Sequence, residues 1–419
     1  MLITKIINKV YFKKDYLNYF LFLLLIFFLP SQLGKHFFFS FSYLNGIRVD
    51  YLAPTLYLTD VLIFFIFLFN FSHIYSFLKD KKLILVIGLF IINIFLSTNK
   101  YLAFYKFLKV FELIILFIVS GIFYKKINKK ALLIVLIFSS LIQLFLSFYQ
   151  FIYKQSAQGV FYFLGERRFS FSTIGIAKVF FDGKEFLRPY GSFSHPNSLG
   201  GFFLLLYVFI LTNKNFNKNL IFKNIFLLIS SLLILISFSK VAIFTFIIIN
   251  LFYFIKKDGC KFCLLAKIVI FLTIGLIFLT SQTDILSLEK RFFLFKNSFL
   301  ILSKYFFSGV GLGNYLLAQN QLKSIYPYFL NQPVHNIFLL FLNEVGIFIF
   351  LITIKYLVVF IRKNKINFYL ILTILITGFF DHYWWSLQQN FLLLAFIYGS
   401  SSIDFFTSKL SFKRKFKSS

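Results

Sequence analysis

His335 and Asn336 open an apolar run directly after Gln332-Pro333-Val334. An imidazole in that place can take a proton from a hydroxyl near neutral pH, which is the work of a general base. Arg188 stands in Leu187-Arg188-Pro189-Tyr190-Gly191-Ser192-Phe193-Ser194-His195-Pro196-Asn197, and Arg291 lies on a mixed polar and apolar stretch from Leu288 to Lys304. Their planar guanidinium forks bind phosphate oxygens bidentately and stabilise negative charge as it grows on a leaving group. Lys240, after Ser239, is a third cation of the same use. His195, Asn197, Asn336, and Asp381 with its neighbour His382 are expected to shape the loops or line an acceptor site. Structural roles compete: an arginine can snorkel to headgroups, His335 can cap the helix after it, and His195 before Pro196 suits a helix start. The acids of this region are few and scattered, so no metal site is expected. Cys260 and Cys263 are the only cysteines. One CxxC with no histidine or second pair nearby is at most half a zinc site.

The elements that must hold these residues are set by composition. Of 419 residues 59% are hydrophobic and 14% charged, and the mean hydropathy is +0.84. Soluble domains carry about 25% charged residues, so the outer surface is expected to face lipid. A dozen helical spans would use roughly 240 residues at about 20 each. A water-soluble enzyme, a DNA-binding protein, a disordered regulator and a disulfide scaffold are excluded. The balance of 44 Lys+Arg against 14 Asp+Glu, net +30, would point to nucleic acid in a soluble chain. Here the positive charge gathers in short loops between apolar runs, where it sets orientation.

Apolar runs near 17–29, 57–77, 83–98, 101–124, 131–153, 198–212, 221–238, 240–255, 263–281, 336–361, 367–385 and 388–402 predict about twelve transmembrane helices. The expected fold is one all-α polytopic membrane domain over 1–419. The first run follows Lys5, Lys9, Lys13 and Lys14 without a small-residue cleavage site, so it reads as a retained helix. Loops carrying Lys79/Lys81/Lys82, Lys125/Lys126/Lys129/Lys130, Lys214/Lys218, Lys256/Lys257/Lys261, Arg362/Lys363/Lys365 and the tail Lys413-Arg414-Lys415 are short and basic. They are expected inside, with both termini cytoplasmic. The long loops 31–56, 154–197 and 282–335 alternate with them and are expected outside. The loops 154–197 and 282–335 are the ones expected to carry short amphipathic helices and the chemistry. Lys109 and Glu112, one turn apart within a span, are expected to pair. Glu344 stands nine residues past His335, about 13 Å along the helix and on its other face, as a packing or lysine-paired residue.

Four segments, in order, resemble the O-antigen ligase and polymerase superfamily of bacterial membrane glycosyltransferases. They are Arg188 to Asn197 leading into a span, Ser239-Lys240 opening another, Arg291 ahead of Gly309-Val310-Gly311-Leu312-Gly313-Asn314-Tyr315, and His335-Asn336 followed by Glu344-Val345-Gly346. The likeness runs over about 130–400, and Lys240 departs from it, since Arg is usual there. The resemblance implies transfer of a polyprenyl-diphosphate-linked glycan to an acceptor sugar hydroxyl, in a glycan or lipid core. The reaction would run at the outer face of the cytoplasmic membrane, without cofactor, metal or nucleic acid. His335 would be its base, and Arg188, Arg291 and Lys240 would bind the diphosphate. A repeat-unit polymerase of the same superfamily and a non-enzymatic flippase for lipid-linked oligosaccharide are the alternatives.

Overall fold

Short polar side chains set where many of the helices begin. The computed structural model describes residues 16–181, 183–257, 269, 272–275, 285–322 and 331–402. Lys5, Lys9, Lys13, Lys14, Cys260, Cys263, the basic tail and most of the run 263–281 lie outside the described residues. Asp80 accepts from the amide of Lys82, Asn99 from Leu102, Asn128 from Lys130 and Asn367 from Tyr369, each at the start of a helix. These acceptors satisfy amides that the first turn leaves without an intrahelical partner.

The helices are α1 (Tyr16–Phe28), α2 (Leu58–Phe69), α3 (Phe71–Leu78), α4 (Lys81–Leu96), α5 (Lys100–Lys126) and α6 (Lys129–Tyr153). Then follow α7 (Pro196–Thr212), α8 (Leu220–Ile236), α9 (Lys240–Lys257), α10 (Ile285–Tyr305), α11 (Tyr315–Asn320), α12 (Ile337–Lys363), α13 (Phe368–Phe380), α14 (Tyr383–Ser386) and α15 (Gln388–Ser401). The connections add three two-stranded antiparallel sheets: β1 (Gly34–His36) with β4 (Thr55–Tyr57), β2 (Tyr43–Leu44) with β3 (Ile47–Arg48), and β5 (Lys178–Phe181) with β6 (Lys184–Leu187). The fold is therefore mostly helical, and loop 154–197 carries a hairpin and a 3-10 turn (Gly159–Leu164) where a short amphipathic helix was expected.

The expected count of about twelve spans is not supported. Among the described residues four helices are long and apolar enough to cross a bilayer: Lys100–Lys126, Lys129–Tyr153, Lys214–Ile236 and Ile337–Lys363. A fifth arises only if α2 and α3 are taken together, and that pair bends by 91°. The physical reason is that apolar runs continue across helix breaks. The run 57–77 turns at Asn70, and α7 has 17 residues, about 26 Å at 1.5 Å each, short of a hydrocarbon core near 30 Å.

The central element is α7. Every residue from Pro196 to Leu211 is buried, as suits a helix apolar on all sides. Gly201 makes this packing possible, because a Cβ there would lie 2.2 Å from the Tyr383 hydroxyl. Between apolar helices such close approach and interhelical hydrogen bonds supply the attraction that water expulsion supplies elsewhere. Accordingly the Ser198 hydroxyl bonds Asn390 Oδ1, and Asn390 Nδ2 donates back to the Ser198 carbonyl at 3.1 Å. The most extensive helix pairing among the described residues joins α5 to α15, and both contribute to the core that α7 occupies.

A second device shapes α12. Gly346 has φ 75°, which breaks the helix in its middle. The carbonyls this frees are taken up by the glycine-rich segment after α10. Val310 donates to Asn343 O and Gly311 to Glu344 O, both at 2.9 Å, while Ile347 donates to Phe306 O at 2.9 Å. Asn93 of α4 closes the junction, giving its amide to Glu344 O at 3.1 Å and accepting from Leu312 N at 2.9 Å. A backbone broken at membrane depth must be re-satisfied within the protein. Gly309-Val310-Gly311-Leu312-Gly313 does that here.

Candidate functional site

Two buried glutamines of α6 hold the chain that carries Arg188. Gln150 Oε1 accepts from the amides of Tyr190 and Gly191 at 2.9 Å, and Gln143 Oε1 accepts from Ser192 N at 2.9 Å. Seven residues apart on one helix, they share a face. Gln150 Nε2 also donates to Glu166 Oε1 at 2.8 Å, which ties the two halves of loop 154–197 together. The segment then enters α7, where His195 is the N-cap and Pro196 the first helical residue.

At that entry a polar chain joins the start of α7 to the segments ahead of α12 and α14. Arg188 donates through Nε and Nη2 to the Ser237 carbonyl at 3.2 and 3.1 Å, and through Nη2 to Asn197 Oδ1 at 2.6 Å. Asn197 Nδ2 donates to Asp381 Oδ2 at 2.8 Å. The other carboxylate oxygen, Oδ1, accepts from His382 N at 2.8 Å and stands 3.6 Å from His335 Nδ1. His335 Nδ1 is buried and has no hydrogen-bond partner among the described residues. The His335 and His382 rings are 5.1 Å apart, His382 Nδ1 meets Ser386 Oγ at 2.6 Å, and Tyr51 presents its ring edge to His382 at 5.6 Å.

The electrostatics follow from burial and crowding. Burial alone would raise the Asp381 carboxyl, but His335, His382 and His195 outweigh it and hold the group well below the usual range. His382 is pushed down to about 3, by burial first and by the charges of His335 and Arg291, against the pull of Asp381. His195 is likewise lowered to about 3, by burial and then by Arg188. It is neutral at working pH, and its Nδ1 accepts from Asn197 N at 3.1 Å, so the proton sits on Nε2. Burial brings Arg188 down to about 10, which leaves it charged. Arg291, on α10, is near enough for its charge to act on Arg188, His195 and His382. Lys240, the first residue of α9, feels Arg188 in the same way.

The residues named from the sequence therefore converge, with distinct duties. His335, Asp381, Asn197 and Arg188 form one chain, with Arg291 and Lys240 beside it. Asn336 is a helix cap, accepting from Phe338 N and Leu339 N at 3.0 Å and donating to Phe379 O at 3.1 Å, and His195 is a cap as well. Neither is free to bind an acceptor through those atoms. Tyr51 and the strands around it carry no chemical motif, so sequence reasoning misses them. The available signal is Asn45-Gly46, a two-residue hairpin turn with both φ angles positive. His335, Asp381 and His382 have ligand atoms within 4.8 Å of one another and are the described residues of a type to hold a metal. No family model matches the chain, and no curated protein matches it.

Proposed function

We propose that this protein transfers a polyprenyl-diphosphate-linked glycan to an acceptor sugar hydroxyl, in the manner of the O-antigen ligases its motifs resemble. The reaction belongs to cell-surface polysaccharide synthesis at the outer face of the bacterial cytoplasmic membrane, with both termini on the cytoplasmic side. The observation that carries the reading is the Asp381 carboxylate 3.6 Å from His335 Nδ1. A carboxylate so placed favours the proton on Nδ1 and leaves Nε2 as the base, the relation of orienter to base found wherever a hydroxyl is activated. Nε2 takes the acceptor proton, the hydroxyl oxygen attacks the anomeric carbon, and the bond to the lipid diphosphate breaks. Charge growing on the departing diphosphate meets Arg188, Arg291 and Lys240. Arg188 has Nη1 to offer, since Nε and Nη2 are engaged. No nucleotide or metal takes part in this scheme.

A repeat-unit polymerase would use the same groups, with a growing glycan in the place of a lipid-core acceptor. A flippase reading draws on the buried charges of α5, but those are closed on each other: Lys109 pairs with Asp60 and, at 3.4 Å, with Glu112. The test is transfer by purified protein supplied with a polyprenyl-diphosphate glycan. His335→Ala is expected to lose about 10²–10⁴-fold in rate, the usual contribution of a general base. Arg188→Lys should keep part of the rate, because the charge stays and the fork is lost. Near-normal transfer by folded His335→Ala protein would place the base elsewhere.

A further inference from the structure

A cavity of about 730 Å³ opens beside the polar chain, between the first external segment and loop 154–197. That is a volume typical of small-molecule sites, about 300–1,000 Å³. It reaches the cluster through Tyr51, His195 and Ser386, whereas Arg188, Arg291 and Lys240 do not line it. Nor do His335, Asp381 and His382 line it, so the cavity lies beside the polar chain and not within it. Its floor is Lys106 and Lys109, six and nine residues below the outer end of α5, or about 9–14 Å down. Tyr162, Tyr190 and Trp385 supply aromatic surface of the kind on which the C–H face of a sugar ring packs.

The charges of the lining do not balance. Asp50 is taken by Arg48 at 3.2 Å. Glu166 is buried and accepts from Gln150, Ala157 N and Gln158 N. Lys109 is answered by Asp60 and Glu112. Lys106 donates to the Trp385 carbonyl, with the Glu344 charge near enough to act on it. Arg167 and Arg168 remain: both are exposed and neither makes an ion pair among the described residues. Arg167 is held over the rings of Tyr190 at 5.2 Å and Phe169 at 5.9 Å, so its fork is presented at the mouth.

We infer that this cavity is the acceptor subsite and that Arg167 and Arg168 select an acidic saccharide, one bearing a carboxylate. Each of these guanidinium groups on the cavity wall matches carboxylate oxygens bidentately, and a neutral sugar would leave both unanswered. The assignment of the cavity to the acceptor rests on the transfer reading above. The selection for charge is tested without it. The protein in lipid nanodiscs is titrated with trigalacturonate and with its carboxyl-reduced neutral counterpart, with no donor present. The acidic trisaccharide is expected to bind about tenfold or more tighter at low salt, with the margin shrinking at high salt because exposed charges are screened. In Arg167→Gln/Arg168→Gln protein the two should bind alike. Equal binding to the unaltered protein, binding of neither, or a preference that survives the double substitution would overturn the inference. His335→Ala protein should keep the preference, so a failed transfer reaction and a failed subsite give different results.

Discussion

Two groups of buried polar residues lie within a few turns of each other, and they are built differently. The deeper one joins α2, α5 and α15. Lys109 bonds Asp60 and pairs with Glu112, and Gln388 Nε2 donates to Asp60 Oδ1 at 2.7 Å. Nearby, Lys106 donates to the Trp385 carbonyl at 2.5 Å and Trp385 Nε1 donates to Glu344 Oε2 at 2.7 Å. Each charge there has an opposite or a dipole in contact. The outer group runs from Arg188 to His335 and ends on a ring nitrogen with no hydrogen bond among the described residues. A closed network joins helices. An open-ended one, holding the Asp381 carboxylate with Arg188, Arg291 and Lys240 beside it, is what the proposed transfer site requires.

That contrast predicts different phenotypes. Asp60→Leu, at a residue that does not line the cavity, takes the closer carboxylate from Lys109 in an apolar setting, and removing one partner of a buried pair costs about 3–5 kcal/mol. The melting point in detergent should fall sharply, while the transfer rate per folded molecule stays near normal. Asp381→Asn should instead show a rate loss per folded molecule of about 10²-fold or more as the base loses its orienter, beside the loss of the stability that its depressed carboxyl supplies. An Asp60→Leu protein that is stable and inactive would erase the distinction.

The same contrast marks what was legible beforehand. The pairing of Lys109 with Glu112 follows from their spacing on one helix, and so does the separation of Glu344 from His335. Asp60 as the closer partner does not, because it arrives from another helix. The convergence of Arg188, Asn197, Asp381 and His335 rests on four segments whose order is visible in the chain and whose contacts are not. The span count fails for a related reason. Hydropathy records apolar runs but not the turn at Asn70 or the 17-residue length of α7. The strand pair Lys178–Leu187 was readable in principle: Asp182-Gly183 between β-prone residues is a strong hairpin signal.

A smaller effect concerns pH. His382 is 4% exposed and held at about 3, whereas histidine in an unfolded chain titrates near 6.5. Between those values the unfolded chain binds a proton that the folded one refuses, so stability falls as pH falls. From pH 6.5 to 5 the loss is about 2 kcal/mol for one such ring. Asp381 acts in the same sense but in another range: its depressed carboxyl stabilises above the ordinary carboxylate range, and that share is lost only at more acid pH. His382→Gln should therefore flatten the dependence of the unfolding midpoint on pH between 7 and 5. An unchanged slope would mean that His382 takes up its proton in the folded state as well.

The smallest expected effect is that of a chelator, and it bears on what the open end of the outer chain is for. His335, Asp381 and His382 are close enough to converge on one ion. Two features oppose that use. Asp381 already accepts from Asn197 Nδ2 and His382 N, so a metal would compete with both bonds. Arg188 and Arg291 also place fixed positive charge beside the site, which repels a divalent cation and attracts a diphosphate. Transfer in excess EDTA should match the untreated rate, and added zinc should inhibit by occupying the imidazoles. A loss in EDTA that a divalent ion restores would make the His335 nitrogen a metal ligand, and would move the base to another group.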